Sequence, residues 1–231
     1  MRLDQYISQA HGVSRTVAKK LIRQQRVTIA GQICTDNSYH VPAQQTVSLD
    51  EQQLELPGES YFILHKPVDY VCSHEDDGYP SALRLLPASR KKLHFAGRLD
   101  ASSSGLVLIS SDGAWCHRVS HPGKYKHSKY YQVQLAEPLT AECISRLEQG
   151  IELQGEAKPC QPCHIERHDD YHCTVVLHEG KYHQIRRMFA ACGNRVIKLH
   201  RFRIGQLQLH GELLKAGSWR ELQKNEVKGF E

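Results

Sequence analysis

The sequence predicts an α+β fold in two parts. Strand-like runs outnumber helical ones and do not alternate with them regularly, which argues against a doubly wound parallel sheet. Positive charge is concentrated at the N-terminus, as expected of a separate module. A polar stretch at residues 50–60, DEQQLELPGES, breaks the apolar pattern and reads as a linker. The expected layout is a small unit at 1–55, a link at 56–60 and a larger unit at 61–231.

Residues 1–31 hold Arg2, Arg15, Lys19, Lys20, Arg23 and Arg26 against Asp4 alone, a local balance of +5 that matches the net charge of the whole chain. The remainder is therefore close to neutral, and the asymmetry points to a nucleic-acid-facing N-terminal module. Ser14 is placed to cap a helix over residues 15–25. That helix puts Val17, Ala18, Leu21 and Ile22 on one side, and Arg15, Lys19 and Arg23 recur at i, i+4, i+8 on another. Such a stripe can lie along a phosphate backbone, although a solvated face is the commoner role. Gly31 turns the chain between strands at 27–30 and 32–35, and another strand is expected at 46–49. Beyond the linker, YFILHK reads as a strand stopped by Pro67. Further strands are expected at 106–109, 130–135, 171–177, 196–199 and 206–209. Helices are expected at 140–149, between Thr140 and Gly150, and at 182–192, closed by Gly193.

The chain has 231 residues, of which 40% are hydrophobic, enough for a packed core. No run of about 18 apolar residues suggests a membrane span, and the start MRLDQYISQAHG lacks a signal-peptide core. A cytoplasmic protein is the default expectation. The eight scattered cysteines read as free thiols rather than a disulfide framework. A pI near 8.7 permits a polyanionic partner without requiring one.

Three segments can carry chemistry. GRLDASSSG, residues 97–105, holds Asp100, Arg98 and three serines between two glycines and leads into the apolar run LVLIS. Taken alone, Asp100 there is more simply a turn residue. EGKYHQIRRMF, residues 179–189, turns at Gly180 into a helix start carrying Lys181, His183, Arg186 and Arg187, an arrangement that attracts anions. KYYQV, residues 129–133, is a strand with paired tyrosines, either packing residues or a stacking platform for a base. Two distractors compete. Cys160-x-x-Cys163-His164 fits a haem-attachment or half-zinc pattern, but no second spaced pair follows it. The serines at 102–104 lack the elbow motif of a hydrolase.

Together these segments resemble the RsuA-type pseudouridine synthases. GRLDASSSGLVLISSDG is similar to the signature that carries the family's catalytic aspartate. KPVDYVCS, residues 66–73, resembles the motif that precedes it. KYYQV resembles the tyrosine strand, and EGKYHQIRRMF with KLHRFRIG resembles the closing basic motifs. RLDQYISQAHGVSRTVAKKLIRQQRVTIAG resembles the small RNA-binding domain named after ribosomal protein S-four. Several motifs in one order are far more specific than any one alone.

The resemblance implies an S-four-like domain followed by a catalytic domain with a mixed, mainly antiparallel sheet flanked by helices. It implies Asp100 as the catalytic carboxylate, Tyr131 on the target base, Arg186 as the cation pairing with Asp100, and Leu199 lining the base pocket. RNA would be held by Arg2, Arg15, Lys19, Arg23, Arg26, Arg98, Lys181 and Arg187. The reaction is an isomerisation of uridine and calls for no cofactor and no metal. The target base must leave its stack to be reached. The short two-part layout resembles members acting on 16S RNA of the small ribosomal subunit. The expected partner is that RNA in a partly assembled subunit, met by a monomer. Family members acting on 23S RNA, and a non-catalytic RNA-binding assembly factor, are the alternatives. Two residues depart from the usual pattern: Asp69 stands where Gly is usual, and Ser103 where Thr is. Asp tolerates a positive φ less readily than Gly.

Overall fold

The computed structural model describes residues 1–87, 92–120, 127–210 and 212–230. The chain divides into two compact units, one built on Met1–Glu59 and the other on Ser60–Pro87 with Leu93–Glu231.

The first unit starts with two helices, α1 (Leu3–His11) and α2 (Arg15–Arg23). The Ser14 side chain accepts from Val17 N and caps α2 as expected. A four-stranded antiparallel sheet follows, made of β1 (Val27–Ile29), β2 (Gln32–Ile33), β3 (Val47–Leu49) and β4 (Gln52–Leu54) in the order β2-β1-β3-β4. Leu3, Ile7, Ala18, Leu21, Ile22, Val27 and Val47 form its core. Val17 is exposed rather than buried, because the apolar stripe is narrower than the sequence pattern implies.

The second unit is a mixed sheet covered by helices. Its elements are β5 (Tyr61–Lys66), a 3-10 turn (Ala82–Leu85), β6 (His94–Phe95), β7 (Ser104–Ser110), α3 (Gly113–Ser120), β8 (Lys129–Leu135), α4 (Ala141–Gln149), β9 (His164–Arg167), β10 (His172–Leu177), α5 (Gln184–Ala191), β11 (Val196–Ile204), β12 (Leu207–Gln208), β13 (Trp219–Glu221) and α6 (Lys224–Lys228). The main path runs β13-β5-β7-β11-β8-β10-β9, with β6 on β7 and β12 on β11. β7 and β11 pair in parallel, and the other pairings between these strands are antiparallel.

β7 explains the uninterrupted run LVLIS. Leu106 and Leu108 face one core with Trp115 and Val119 of α3. Val107 and Ile109 face the other, with Leu147 of α4 and Ile185, Met188 and Phe189 of α5. A strand buried on both faces reads as continuous hydrophobicity. Gly105 sets the spacing of β7 and β11. Its φ is +118°, and an added Cβ would lie 2.2 Å from Arg201 O. Only glycine admits that approach.

Three expectations need correction. The helix expected at 182–192 runs Gln184–Ala191, because His183 is left-handed at φ 47° and stands outside it. The helix expected at 15–25 ends at Arg23, with Gln25 also at positive φ. The sequence pattern does not mark α1, α3 or α6, since short helices with mixed faces give weak periodicity.

Candidate active site

Asp100 lies on the loop between β6 and β7, and that loop is held from several sides. The backbone N–H of Asp69 donates to Ala101 O at 2.8 Å, and Ser103 N donates to Asp100 O at 3.0 Å. Arg201 Nη1 donates to Arg98 O at 3.3 Å, and Arg201 Nε to Leu106 O at 2.8 Å. Arg186 Nη2 donates to Ser102 O at 3.1 Å, while its Nη1 donates to Val196 O at 3.0 Å. A loop with the carbonyls of Arg98, Asp100, Ala101 and Ser102 engaged holds its carboxylate in one place.

Asp69 adopts φ 63°, the left-handed conformation that Gly takes most readily. The turn it makes brings Lys66 into play. The Lys66 ammonium is fully buried and donates to Pro67 O at 2.8 Å and Tyr70 O at 2.7 Å. Burial pulls its pKa down to about 8, against the opposing pull of Cys72, Asp100 and Asp69.

Asp100 opens onto a cavity of about 490 Å³. Tyr131 and Lys129 of β8, Leu199 and Arg201 of β11, and Arg98, Lys181, Tyr182 and His183 also line it. The register makes this constellation. Arg201 is the cross-strand partner of Tyr131, and Leu199 that of Val133. Lys129, Tyr131 and Val133 alternate onto one face of β8. A bulge between Arg201 and Arg203 bends β11 beside the site. The Arg201 guanidinium sits 6.0 Å from the centroid of the Tyr131 ring.

The structure thus brings Asp100, Tyr131 and Leu199 around one cavity, with Arg98 and Lys181 on its wall. The expected Arg186–Asp100 ion pair is not formed among the described residues. Arg186 directs its two Nη groups to carbonyls, and the side chain facing Asp100 is the imidazole of His183, with Nε2 3.3 Å from Oδ1. The ring of Tyr182 stacks on His183 at 3.9 Å and 15°. His183 was visible in the sequence only as one basic residue among several, because its left-handed backbone leaves no compositional trace.

Other expected RNA contacts are already engaged within the protein. Arg187 Nη1 binds Glu156 at 2.7 Å, and Lys181 Nζ binds Lys158 O at 2.9 Å and Glu156 at 3.4 Å. In the first unit, Arg15 lies 2.8 Å and Arg2 3.2 Å from the fully buried carboxylate of Asp4, with Lys19 at 4.0 Å. Arg26 pairs with Asp50. Arg23 and Lys20 are exposed. Cys160 and Cys163 are buried in the core, where Cys163 Sγ donates to Leu147 O, while His164 turns out toward Glu148 at 3.2 Å.

This chain belongs to the RNA pseudouridylate synthase family, whose model matches residues 60–191. An S4 domain model matches residues 1–47. The chain is 43% identical over 230 residues to the ribosomal small subunit pseudouridine synthase A of Vibrio parahaemolyticus, covering 98% of each. It is 38% identical over 232 residues to the protein of that name from Pasteurella multocida, covering 100% of this chain and 99% of the relative. A solved structure described as a pseudouridylate synthase matches with TM-score 0.71 and 38% identity over 100% of both chains. No helix among the described residues is long and apolar enough to cross a membrane.

Proposed function

We propose that this enzyme converts one uridine of 16S RNA in the small ribosomal subunit to pseudouridine, with Asp100 as the catalytic residue. The carrying observation is that Asp100, Tyr131 and Leu199 line one cavity of about 490 Å³, large enough for a nucleotide. The names of the full-length relatives support the small-subunit assignment.

The target base leaves its helix and enters the cavity. Leu199 flanks it and the Tyr131 ring stacks on it. Asp100 then either attacks the anomeric carbon or removes the proton from carbon 2 of the sugar. Either way the bond from that carbon to the base nitrogen breaks. The base turns and rejoins through its carbon 5, which loses its proton to solvent while the freed nitrogen gains one, so no co-reactant is consumed. Arg186 and Arg201 act here by fixing the Asp100 loop. The S4 unit grips phosphates and sets register. The protein works as a cytoplasmic monomer on a partly assembled subunit.

The test is tritium release from RNA labelled at carbon 5 of uridine, using 16S and 23S transcripts and partly assembled small subunits. Wild type should release tritium from the 16S substrates, and Asp100→Asn should not. Release that survives Asp100→Asn sinks the catalytic role. Release from 23S alone sinks the substrate.

A further inference from the structure

Two cations are buried in the cavity wall without an acid bound to either. Arg201 is 1% exposed and Lys129 is 8% exposed. Two donors of the Arg201 guanidinium hold loop and strand carbonyls, but its buried Nη2 has no hydrogen-bond partner. Among the described residues, the Lys129 ammonium has no hydrogen-bond or ion-pair partner either. The nearby carboxylate of Glu179 is occupied, accepting from Gln184 Nε2 at 2.7 Å and from Gln161 N at 2.9 Å. Burying an unpaired cation or an unmet donor is costly. Two such groups in one wall form a site preorganised for negative charge.

The neutral uridine does not bring that charge, but the reaction creates it. When the bond between carbon 1 of the sugar and the base nitrogen opens, its electron pair stays on the base. It spreads from the nitrogen onto the two uracil oxygens. This holds whether Asp100 forms a bond to carbon 1 or takes the proton from carbon 2. The charge disappears when carbon 5 uses that electron pair to bond to the sugar, and loss of the carbon 5 proton is then matched by proton uptake on the nitrogen. Fixed donors at such a transient anion act on the transition state rather than on the bound substrate. Lys129 lies two residues from Tyr131 on the same face of β8, and Arg201 is the cross-strand neighbour of Tyr131. Both therefore stand beside the position that a base on Tyr131 would occupy.

We propose that Lys129 and Arg201 form the anion-stabilising site for the detached uracil, an inference that rests on the pseudouridine-forming reading above. Lys129 acts as an ammonium, so its function is lost on deprotonation. Burial first, then Arg201, draw its pKa down to about 8, while Glu179 opposes. The groups around it are Arg201 on β11, Glu179 after β10, His127 before β8, and Tyr131, Asp100, Lys181 and His183 around the cavity.

The experiment is steady-state kinetics of tritium release for wild type, Lys129→Gln and Lys129→Arg, with RNA varied up to saturation and across pH 6–10. Lys129→Gln should lower kcat about a hundredfold while KM stays within about twofold. Lys129→Arg should recover most of the loss. In wild type kcat should fall above pH about 8, and in Lys129→Arg that fall should be absent. The wild-type and arginine profiles decide the matter even if the glutamine variant does not fold. A raised KM with unchanged kcat would assign Lys129 to an RNA phosphate and overturn the proposal, as would an alkaline limb that persists in Lys129→Arg. Lack of turnover by wild type on any RNA would instead overturn the reaction itself.

Discussion

His183 Nε2 lies 3.3 Å from Asp100 Oδ1, and the contact exists because His183 turns left-handed just before α5. The side chains of His183 and Asp100 are 39% and 32% exposed, so solvent screens the pair. Exposed pairs contribute about 0.2–1 kcal/mol. His183→Ala should therefore lower turnover by less than about tenfold, since tenfold needs ~1.4 kcal/mol. Asp100→Asn should abolish it. Single-turnover tritium release on one RNA separates the two, and a loss for His183→Ala as deep as that of Asp100→Asn would mean that histidine takes part in proton transfer.

Arg186 bridges Ser102 O and Val196 O, tying the Asp100 loop to β11. Its replacement by Ala leaves both carbonyls without a charged donor. Hydrogen bonds to charged groups contribute about 1.5–3 kcal/mol each. Arg186→Ala should lower unfolding free energy by about 2–4 kcal/mol in urea titration and reduce turnover with it. Arg186→Lys should recover little, because one ammonium does not span both acceptors as a guanidinium fork does. Full stability with lost turnover would instead point to direct action on the reacting groups.

Positions around the cavity are legible in the sequence where they follow from strand alternation. Tyr131 and Leu199 face the cavity because β8 and β11 alternate, and Asp100 precedes a strand whose apolar run is plain in the sequence. They are not legible where a local dihedral or a single ion pair decides. Arg186 was expected at Asp100, but the left-handed turn at His183 puts the imidazole there. Arg15 and Lys19 form a helical stripe on paper, yet the buried carboxylate of Asp4 draws them in. Such pairings join residues distant in sequence, and no periodicity announces them. The charges of Lys129 and Arg201 were equally silent, because burial depends on the sheet register.

Gly105 and Asp69 make opposite predictions about backbone strain. Gly105→Ala places a Cβ 2.2 Å from Arg201 O at φ +118°. It should destabilise the second unit by more than about 3 kcal/mol, since the obstructing atom is backbone in a central strand. Asp69 already carries a Cβ at φ 63°. Asp69→Gly should change stability by less than about 1 kcal/mol, as relieved strain offsets the entropy of a freer unfolded chain. Asp69→Val should cost about 1–2 kcal/mol, because a β-branched residue fits that conformation poorly. Urea midpoints of the three variants check the order, and an inert Gly105→Ala would refute the close approach of β7 and β11.

Asp4 divides the basic residues of the S4 unit into two groups with different consequences. Burial pushes its carboxyl up, but hydrogen bonds from Arg15 and Arg2 outweigh that and hold it below its ordinary value. A carboxyl lowered in the folded state contributes stability that is complete above the unfolded value near 4 and is lost as pH falls through the folded one. Asp4→Asn should thus destabilise the unit at neutral pH and flatten its acid transition. Arg15→Ala should act mainly in the same way, by leaving Asp4 buried and underpaired. Arg23 and Lys20 are exposed and have no ion-pair partner among the described residues, so they remain available to phosphate. Arg23→Ala and Lys20→Ala should each leave the thermal midpoint unchanged. Each should reduce the slope of log affinity against log salt by about 1. Fluorescence anisotropy with labelled 16S fragments at several salt concentrations measures that slope. If Arg15→Ala lowers the slope as much as Arg23→Ala without loss of stability, Asp4 does not hold its arginine back from the RNA.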